Sequence, residues 1–299
     1  MHDRGIYRTF AAFLTVAVVA GAAGACSSQS GSAGGPADQA ASGQQAAAHD
    51  ALEASDDEAA ARPLERLLRA SLEELSLRPD QRSAIEAIRT DLENETRPVR
   101  ATRQDLAATL ADQVAAGRID DAAIAQKQAA VVQAVRDAKP AMQDALNRLH
   151  GALDAAQRRA LVDKIRDKGE ALRDRMDERG GARGVLRSRF MRLADQLELT
   201  AAQRMTIRDG LRDEFQRDRG AFDESRRAQA RARMREVGQA FVSDSFDARA
   251  LDVGRDAPDL AQKISSAVVR VVKVVEPVLT AEQRAKAASI IRTRAAAGR

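Results

Sequence analysis

The sequence predicts an all-α protein: two units of long antiparallel helical hairpins that follow a disordered N-terminal tether. Aromatic residues make up 3% of the 299 residues, Trp is absent and Tyr occurs once. Ala, Arg, Leu, Asp, Glu and Gln dominate after residue 60, which favours helices, because strands prefer β-branched and aromatic residues. One local pattern also recurs four times, which indicates a repeated helical unit.

Residues 1–25 are predicted to be a bacterial lipoprotein signal peptide. Two arginines precede an apolar stretch over residues 10–23 that is short for a membrane span. The following Ala23-Gly24-Ala25-Cys26 resembles a lipobox, although Ala23 stands where Leu is usual. An ordinary cleavable signal is the alternative. We expect acylation of Cys26 and a periplasmic protein anchored by lipid to the envelope, at the outer membrane.

Residues 26–58 are predicted to form a disordered tether, because they are rich in Ser, Gly, Ala and Gln and show no apolar periodicity. They carry six acidic residues and no Lys or Arg, whereas residues 185–299 carry 23 basic and 16 acidic residues. Nucleic acid is not expected as a partner, because almost no aromatic residues accompany the basic ones and the export signal leads away from DNA. The lone cysteine excludes an intrachain disulfide.

The repeated pattern is Leu-x-x-x-Gln-Arg. Its copies begin at Leu77, Leu153, Leu199 and Leu279. The first two are 153 − 77 = 76 residues apart and the last two 279 − 199 = 80, while first to third is 122 and second to fourth is 126. This spacing predicts a tandem duplication. The first unit would span residues 59–178, a Gly-rich linker 179–184 and the second unit 185–299.

We expect the motif residues to build the fold, because the pattern also describes a helix start. A Thr or Asp side chain at the N-cap accepts a hydrogen bond from the N–H three residues on, and the Gln side chain reaches back to the N-cap N–H. Each Leu would pack inward. At the first motif Arg78 is a poor cap before Gln81, although Pro79 suits the first helical position. The better pairs are Asp154 with Gln157, Thr200 with Gln203, and Thr280 with Gln283.

Leu-Thr-x-x-Gln occurring twice in an exported helical chain resembles the LTXXQ motif family, which includes the periplasmic proteins Spy and CpxP. The second unit matches that motif at both ends, whereas the first unit has Arg78 and Asp154 in place of Thr. The resemblance implies cradle-shaped homodimers that bind partly unfolded clients without ATP. Here the two units could form an intrachain pseudo-dimer, and a homodimer stays open.

Apolar periodicity predicts the helices. A stripe over residues 85–114 indicates one long helix, residues 117–120 turn the chain, and residues 124–149 repeat the stripe on an antiparallel partner kinked by Pro140. In the second unit a helix is expected to begin at residues 245–247. An inward stripe would follow at Ile264, Val268, Val271 and Val275. Helix is favoured over strand for the valine-rich residues 268–278.

The leading functional prediction is an ATP-independent chaperone that binds unfolded or partly folded envelope proteins on a basic, amphipathic helical surface. Residues 226–235 contain five arginines and no acid, and long-range charge speeds encounter with many partners. A solvated helix face is the simpler interpretation of this run. The expected client contacts are Phe222, Arg226, Arg227, Arg231, Met234, Arg235 and Phe241.

Two other functions compete with chaperoning. One is an adaptor that docks on an envelope stress sensor. The other is metal binding or metal sensing, which the sequence disfavours because its three histidines, at positions 2, 49 and 150, form no ligand cluster. An enzyme is not expected, since the chain has no nucleophile elbow and no phosphate-binding Gly loop. No metal or cofactor is expected either.

Overall fold

The computed structural model describes residues 63–178, 181–217 and 224–297. Every regular element within these ranges is helical, which confirms the all-α fold. The helices are α1 (Pro63–Glu73), α2 (Pro79–Glu95), α3 (Arg97–Ala116), α4 (Asp121–Ala152), α5 (Ala155–Glu178), α6 (Gly181–Gln196), α7 (Ala201–Arg217), α8 (Glu224–Val242), α9 (Ala257–Val275) and α10 (Ala281–Ala297). A 3-10 turn, Glu276–Val278, joins α9 to α10. The predicted signal peptide and tether lie outside the described residues.

The first unit contains the predicted hairpin, formed by α3 and α4. Gly117 ends α3 with a φ of 67°, in the left-handed region that glycine tolerates. Asp120 then caps α4, because its carboxylate accepts hydrogen bonds from the N–H groups of Ala122 at 3.0 Å and Ala123 at 3.1 Å. The helix α4 continues through Pro140 to residue 152.

The prediction of one long helix over residues 85–114 is wrong, because the chain breaks between α2 and α3 at Thr96. Thr96 has φ −92° and ψ 1°, and its hydroxyl donates to the Leu92 carbonyl at 2.7 Å. Pro98 explains the break. Pro98 has no N–H to donate to the Asn94 carbonyl, and in a continuous helix its ring would clash with that carbonyl, so Pro98 lies in the first turn of a new helix.

The helix expected to begin at residues 245–247 begins at Ala257 instead. Asp247 starts only a short turn, in which its carboxylate accepts from the N–H of Arg249 at 2.8 Å. The chain then passes through Asp252 and Gly254, which have φ values of 49° and 84°. These left-handed residues end the turn, so α9 starts later, with Pro258 in its first turn. The valine-rich residues 268–275 are helical, as favoured.

The two predicted units share their hydrophobic core. The helix α4 packs against α9, α3 packs against α10, and α5 packs against α8. The main cluster contains Leu92, Val135 and Leu161 from the first unit together with Phe241 and Val253 from the second. The predicted linker 179–184 overlaps α6, which begins at Gly181. The units are therefore packed together along their helices.

Polar contacts follow the same seam between the units. The buried Gln143 side chain donates to the Val253 carbonyl at 2.9 Å. The side-chain oxygen of Asn147 accepts from the Ala248 N–H at 2.8 Å. These bonds hold the turn at residues 247–254 of the second unit on α4 of the first.

Candidate functional site

The first two motifs meet through a pair of glutamine side chains. Gln81 at the start of α2 donates to the side-chain oxygen of Gln157 at 2.7 Å, and Gln157 at the start of α5 donates back at 3.0 Å. The second N–H of each amide bonds a carbonyl at the other motif, Ala152 at 2.8 Å and Ser76 at 3.0 Å respectively. Gln81 is buried. This reciprocal arrangement ties the ends of two helices together.

The last two motifs meet in the same way. Gln203 at the start of α7 donates to Gln283 at 2.8 Å, and Gln283 at the start of α10 donates back at 3.2 Å. Gln203 also bonds the Val278 carbonyl at 2.9 Å, and Gln283 bonds that of Leu197 at 3.2 Å. The motifs are thus joined in the two pairs that their spacing predicts.

The expected capping boxes are confirmed at three motifs. Gln157, Gln203 and Gln283 each accept a hydrogen bond at 3.0 Å from the N–H three residues earlier. The reverse bonds, to Asp154, Thr200 and Thr280, are 2.8, 3.2 and 3.2 Å long. At the first motif only the glutamine half forms, from the Arg78 N–H to Gln81 at 3.0 Å.

The leucine and arginine of the motif also have structural roles. Leu153, Leu199 and Leu279 are buried, and Leu77 packs at the edge of the main cluster. The guanidinium of the motif arginine donates to the carbonyl of the motif leucine in three copies. These bonds run from Arg158 to Leu153 at 3.0 Å, from Arg204 to Leu199 at 2.9 Å, and from Arg284 to Leu279 at 2.9 Å. All parts of the pattern therefore stabilise helix starts and their junctions.

The predicted client contacts around α8 differ in how exposed they are. Arg231 and Arg235 are exposed, and Met234 is half-buried. Arg226 and Arg227 lie within α8, but their side chains, like all of Phe222, lie outside the described residues.

Phe241 is a correction to the expected client surface, because it is only 6% exposed. Its ring packs edge-on against His150 and Phe246, with centroids 5.4 and 5.1 Å away. The Nε2–H of His150 donates to the Ser243 carbonyl at 2.9 Å. Phe241 and His150 therefore belong to the packing between the two units.

An open apolar face on α9 was not anticipated as a contact surface. Ile264 and Val268 were expected to face inward, yet they are 44% and 48% exposed. They lie four residues apart and therefore share one helix face. Ile264 and Val268 are called the open face below.

The corresponding positions of the first unit are buried. Subtracting the 126-residue offset places Ile264 and Val268 at positions 138 and 142 of the first unit, where Ala138 and Met142 are buried. On α2 of the first unit, Ile88 and Leu92 are each 2% exposed.

At the corresponding positions, 122 residues later, α7 has Gly210 and Glu214. Gly210 has no side chain to cover α9, and a Cβ there would lie 2.8 Å from Val274 Cγ1. Glu214 forms an ion pair with Arg270 at 3.4 Å. A glycine and a carboxylate therefore stand where the first unit has two large apolar groups, and they face Val274 and Arg270 on α9.

The described residues contain no group of three or more His, Cys, Asp or Glu side chains that could hold a metal ion. In that same part of the chain, the helices are too short or too polar to cross a membrane. Cys26, the predicted acylation site, lies outside the described residues.

Comparison with known proteins gives one match. The model of the LTXXQ motif family matches residues 65–165, which include the Gln81–Gln157 pair. No curated protein and no solved structure matches the chain. The match stops before the second unit, so the tandem duplication stays a prediction, supported by the recurring glutamine pair. Residues 65–165 of the chain are therefore similar to the LTXXQ motif family.

Proposed function

We propose that the chain is an ATP-independent chaperone of the bacterial envelope that holds unfolded or partly folded proteins. The open face carries this proposal. Ile264 and Val268 stand exposed on a helix of a folded unit, and exposed apolar side chains grouped on one surface are typical of contact sites. Unfolded chains offer the complementary apolar segments.

Charge supports the first step of client capture. The second unit carries a net +7, and Arg231 and Arg235 on α8 are exposed. A positive surface attracts acidic client segments over a range of roughly one Debye length, about 8 Å at physiological ionic strength. After this encounter, apolar segments of the client would bind the open face.

The strength of holding would be modest. Fully burying an Ile or Val side chain contributes about 1.5–3 kcal/mol, and Ile264 and Val268 have somewhat less than half of their surface left to bury. Each would therefore contribute about 1 kcal/mol. Weak contacts of this size suit a chaperone that releases clients without ATP.

The remaining parts of the proposal concern location and assembly. Acylation of Cys26 would tether the chain to the envelope, most simply at the outer membrane. The units would act as an intrachain pseudo-dimer, a suggestion supported by the packing of α4 on α9 and of α5 on α8. No catalytic group, metal or cofactor takes part in this mechanism.

The experiment is aggregation of a chemically denatured client with and without the full chain. We expect suppression at an equimolar ratio, and loss of most of it in the Ile264→Asp/Val268→Asp variant. Met191→Asp is the matched control, because Met191 is also an exposed apolar residue, at 43%, but lies on α6. Circular dichroism would verify that both variants stay folded.

Two outcomes would contradict the proposal. One is no suppression by the unaltered chain. The other is an equal effect of the open-face variant and the Met191→Asp control. A single stoichiometric membrane partner together with no suppression would favour the adaptor function instead.

A further inference from the structure

The N-terminal tether and the Arg-rich helix α8 have opposite charges. Residues 50–58 contain five acids and no base, and residues 226–235 contain five arginines and no acid. Arg231 and Arg235 are exposed and form no ion pair with any other described residue. Arg231 and Arg235 can therefore pair with an acidic partner.

The helix α1, which follows the tether, runs antiparallel to α5. Near the C-terminal end of α1, Glu74 pairs with Lys164 at 2.8 Å and Lys168 at 2.5 Å. The Ser76 carbonyl accepts from Gln157 at the start of α5 at 3.0 Å. Because positions increase along α5 as they decrease along α1, Pro63 lies towards the C-terminal end of α5.

The helix α8 runs antiparallel to the same helix. Asp244, just beyond its end, pairs with Arg158 at 3.0 Å. Further back, a Cβ at Gly238 would lie 3.4 Å from Val162. The arginines at the start of α8 therefore lie towards the same end of α5 as Pro63, where the tether leaves the folded part.

The acidic run is close enough along the chain to reach α8. Helices that pack on a common neighbour lie about 8–10 Å from it, so α1 and α8 are separated by at most about 20 Å. The 13 residue steps from Asp50 to Pro63 span up to about 44 Å when extended. The acidic run can therefore reach α8 without moving any helix. The covalent link holds it there at an effective concentration of about a millimolar.

We infer that the acidic tether, through residues 50–58, docks on the exposed arginine face of α8 in the same chain. The contact is mainly electrostatic, because Leu52 is the one large apolar residue in a run that otherwise holds acids, alanine and serine. Under the proposed chaperone function, on which this step rests, the tether competes with acidic clients for Arg231 and Arg235. The docking itself needs no client.

The test is zero-length carbodiimide coupling in the full chain. Arg231→Lys and Arg235→Lys keep the charge and supply amines that couple to carboxylates. We expect mass spectrometry to find links from residues 50–58 to positions 231 and 235 at several times the yield of links to Lys263. Lys263 is exposed on α9 and serves as the internal control. At 1 M salt, where the Debye length is about 3 Å, the preference should vanish.

Two results would overturn the docking: equal yields at Lys263 and position 231, or links that form only between isotopically distinct chains. A second measurement separates this inference from the chaperone proposal. Neutralising the five acids should speed capture of an acidic client about two- to fivefold at low salt, whereas Asp38→Asn should not. Intrachain links without any client capture would sustain the docking and refute the chaperone function.

Discussion

Replacing Gln81 by alanine removes one half of the glutamine pair that joins the first two motifs. The side chain makes four hydrogen bonds: to the Ala152 carbonyl at 2.8 Å, to Gln157 at 2.7 Å, and from Arg78 and Gln157 at 3.0 Å each. A net contribution of about 1 kcal/mol for each bond gives a loss of about 3–4 kcal/mol. Water can offset only a little, because Gln81 is 2% exposed.

Urea unfolding followed by circular dichroism measures this loss as a shift in the midpoint at constant slope. Gln133→Ala is the control, because Gln133 is exposed and its one bond to a described residue is to Asp137 within its own helix. It should cost less than about 0.5 kcal/mol. The Gln81→Ala/Gln157→Ala double variant should show a coupling energy of at least about 1 kcal/mol. Equal losses for Gln81→Ala and Gln133→Ala would refute the bracing role.

Two further predictions concern the backbone and pH. In thermal melts, Gly254→Ala should destabilise the fold by about 1–2 kcal/mol, because Gly254 has φ 84° and faces the Met142 methyl group. Gly151→Ala is the control and should stabilise the fold slightly, because Gly151 is helical and a Cβ there would have no neighbour within 4 Å. Hydrogen bonds from Lys164 and Lys168 lower the pKa of Glu74 from 4.5 to about 2. Because folding lowers the pKa of Glu74, its pairing with the two lysines contributes to folding stability above pH 4.5, and this contribution is lost as pH falls towards 2. Carboxyl NMR titration of the Lys164→Met/Lys168→Met variant should return the Glu74 midpoint to near 4.5; an unchanged midpoint would contradict this cause.

The helical fold and the motif pairs could be predicted from local chemistry. A capping box is set by residues three apart, so Thr200 with Gln203 and Thr280 with Gln283 could be recognised in the sequence alone. The spacing of the motifs indicated which two belong together. The glutamine-to-glutamine bonds could not be foreseen, because they join residues 76 or 80 positions apart and depend on how the helix ends meet.

The breaks in the helices were missed for a related reason. Pro98 was present in the sequence, but the apolar stripe runs on through Thr96 and hides the break. The signals for the late start of α9 were Gly254 and Pro258, which outweigh the helical start signal of Asp247.

The exposed positions on α9 were the hardest to predict. A helix rich in valine has apolar residues on several faces, so its periodicity does not specify which face is buried. Burial depends on which neighbouring helix covers each face, and the sequence of α9 alone does not specify that neighbour. Likewise, Phe241 could not be assigned to the core without knowing that α8 packs on α5.

The most direct measurement of client binding is site-specific photo-crosslinking. A photoreactive phenylalanine analogue placed at Val268, on the open face, should link covalently to a denatured client, and at Met191, on α6, it should link far less. Both positions are exposed, at 48% and 43%, so accessibility alone does not separate them. Strong links at position 268 that an excess of unlabelled client removes are the predicted result. Equal labelling at both positions, or none at 268 while the client aggregates, would contradict the proposed client site.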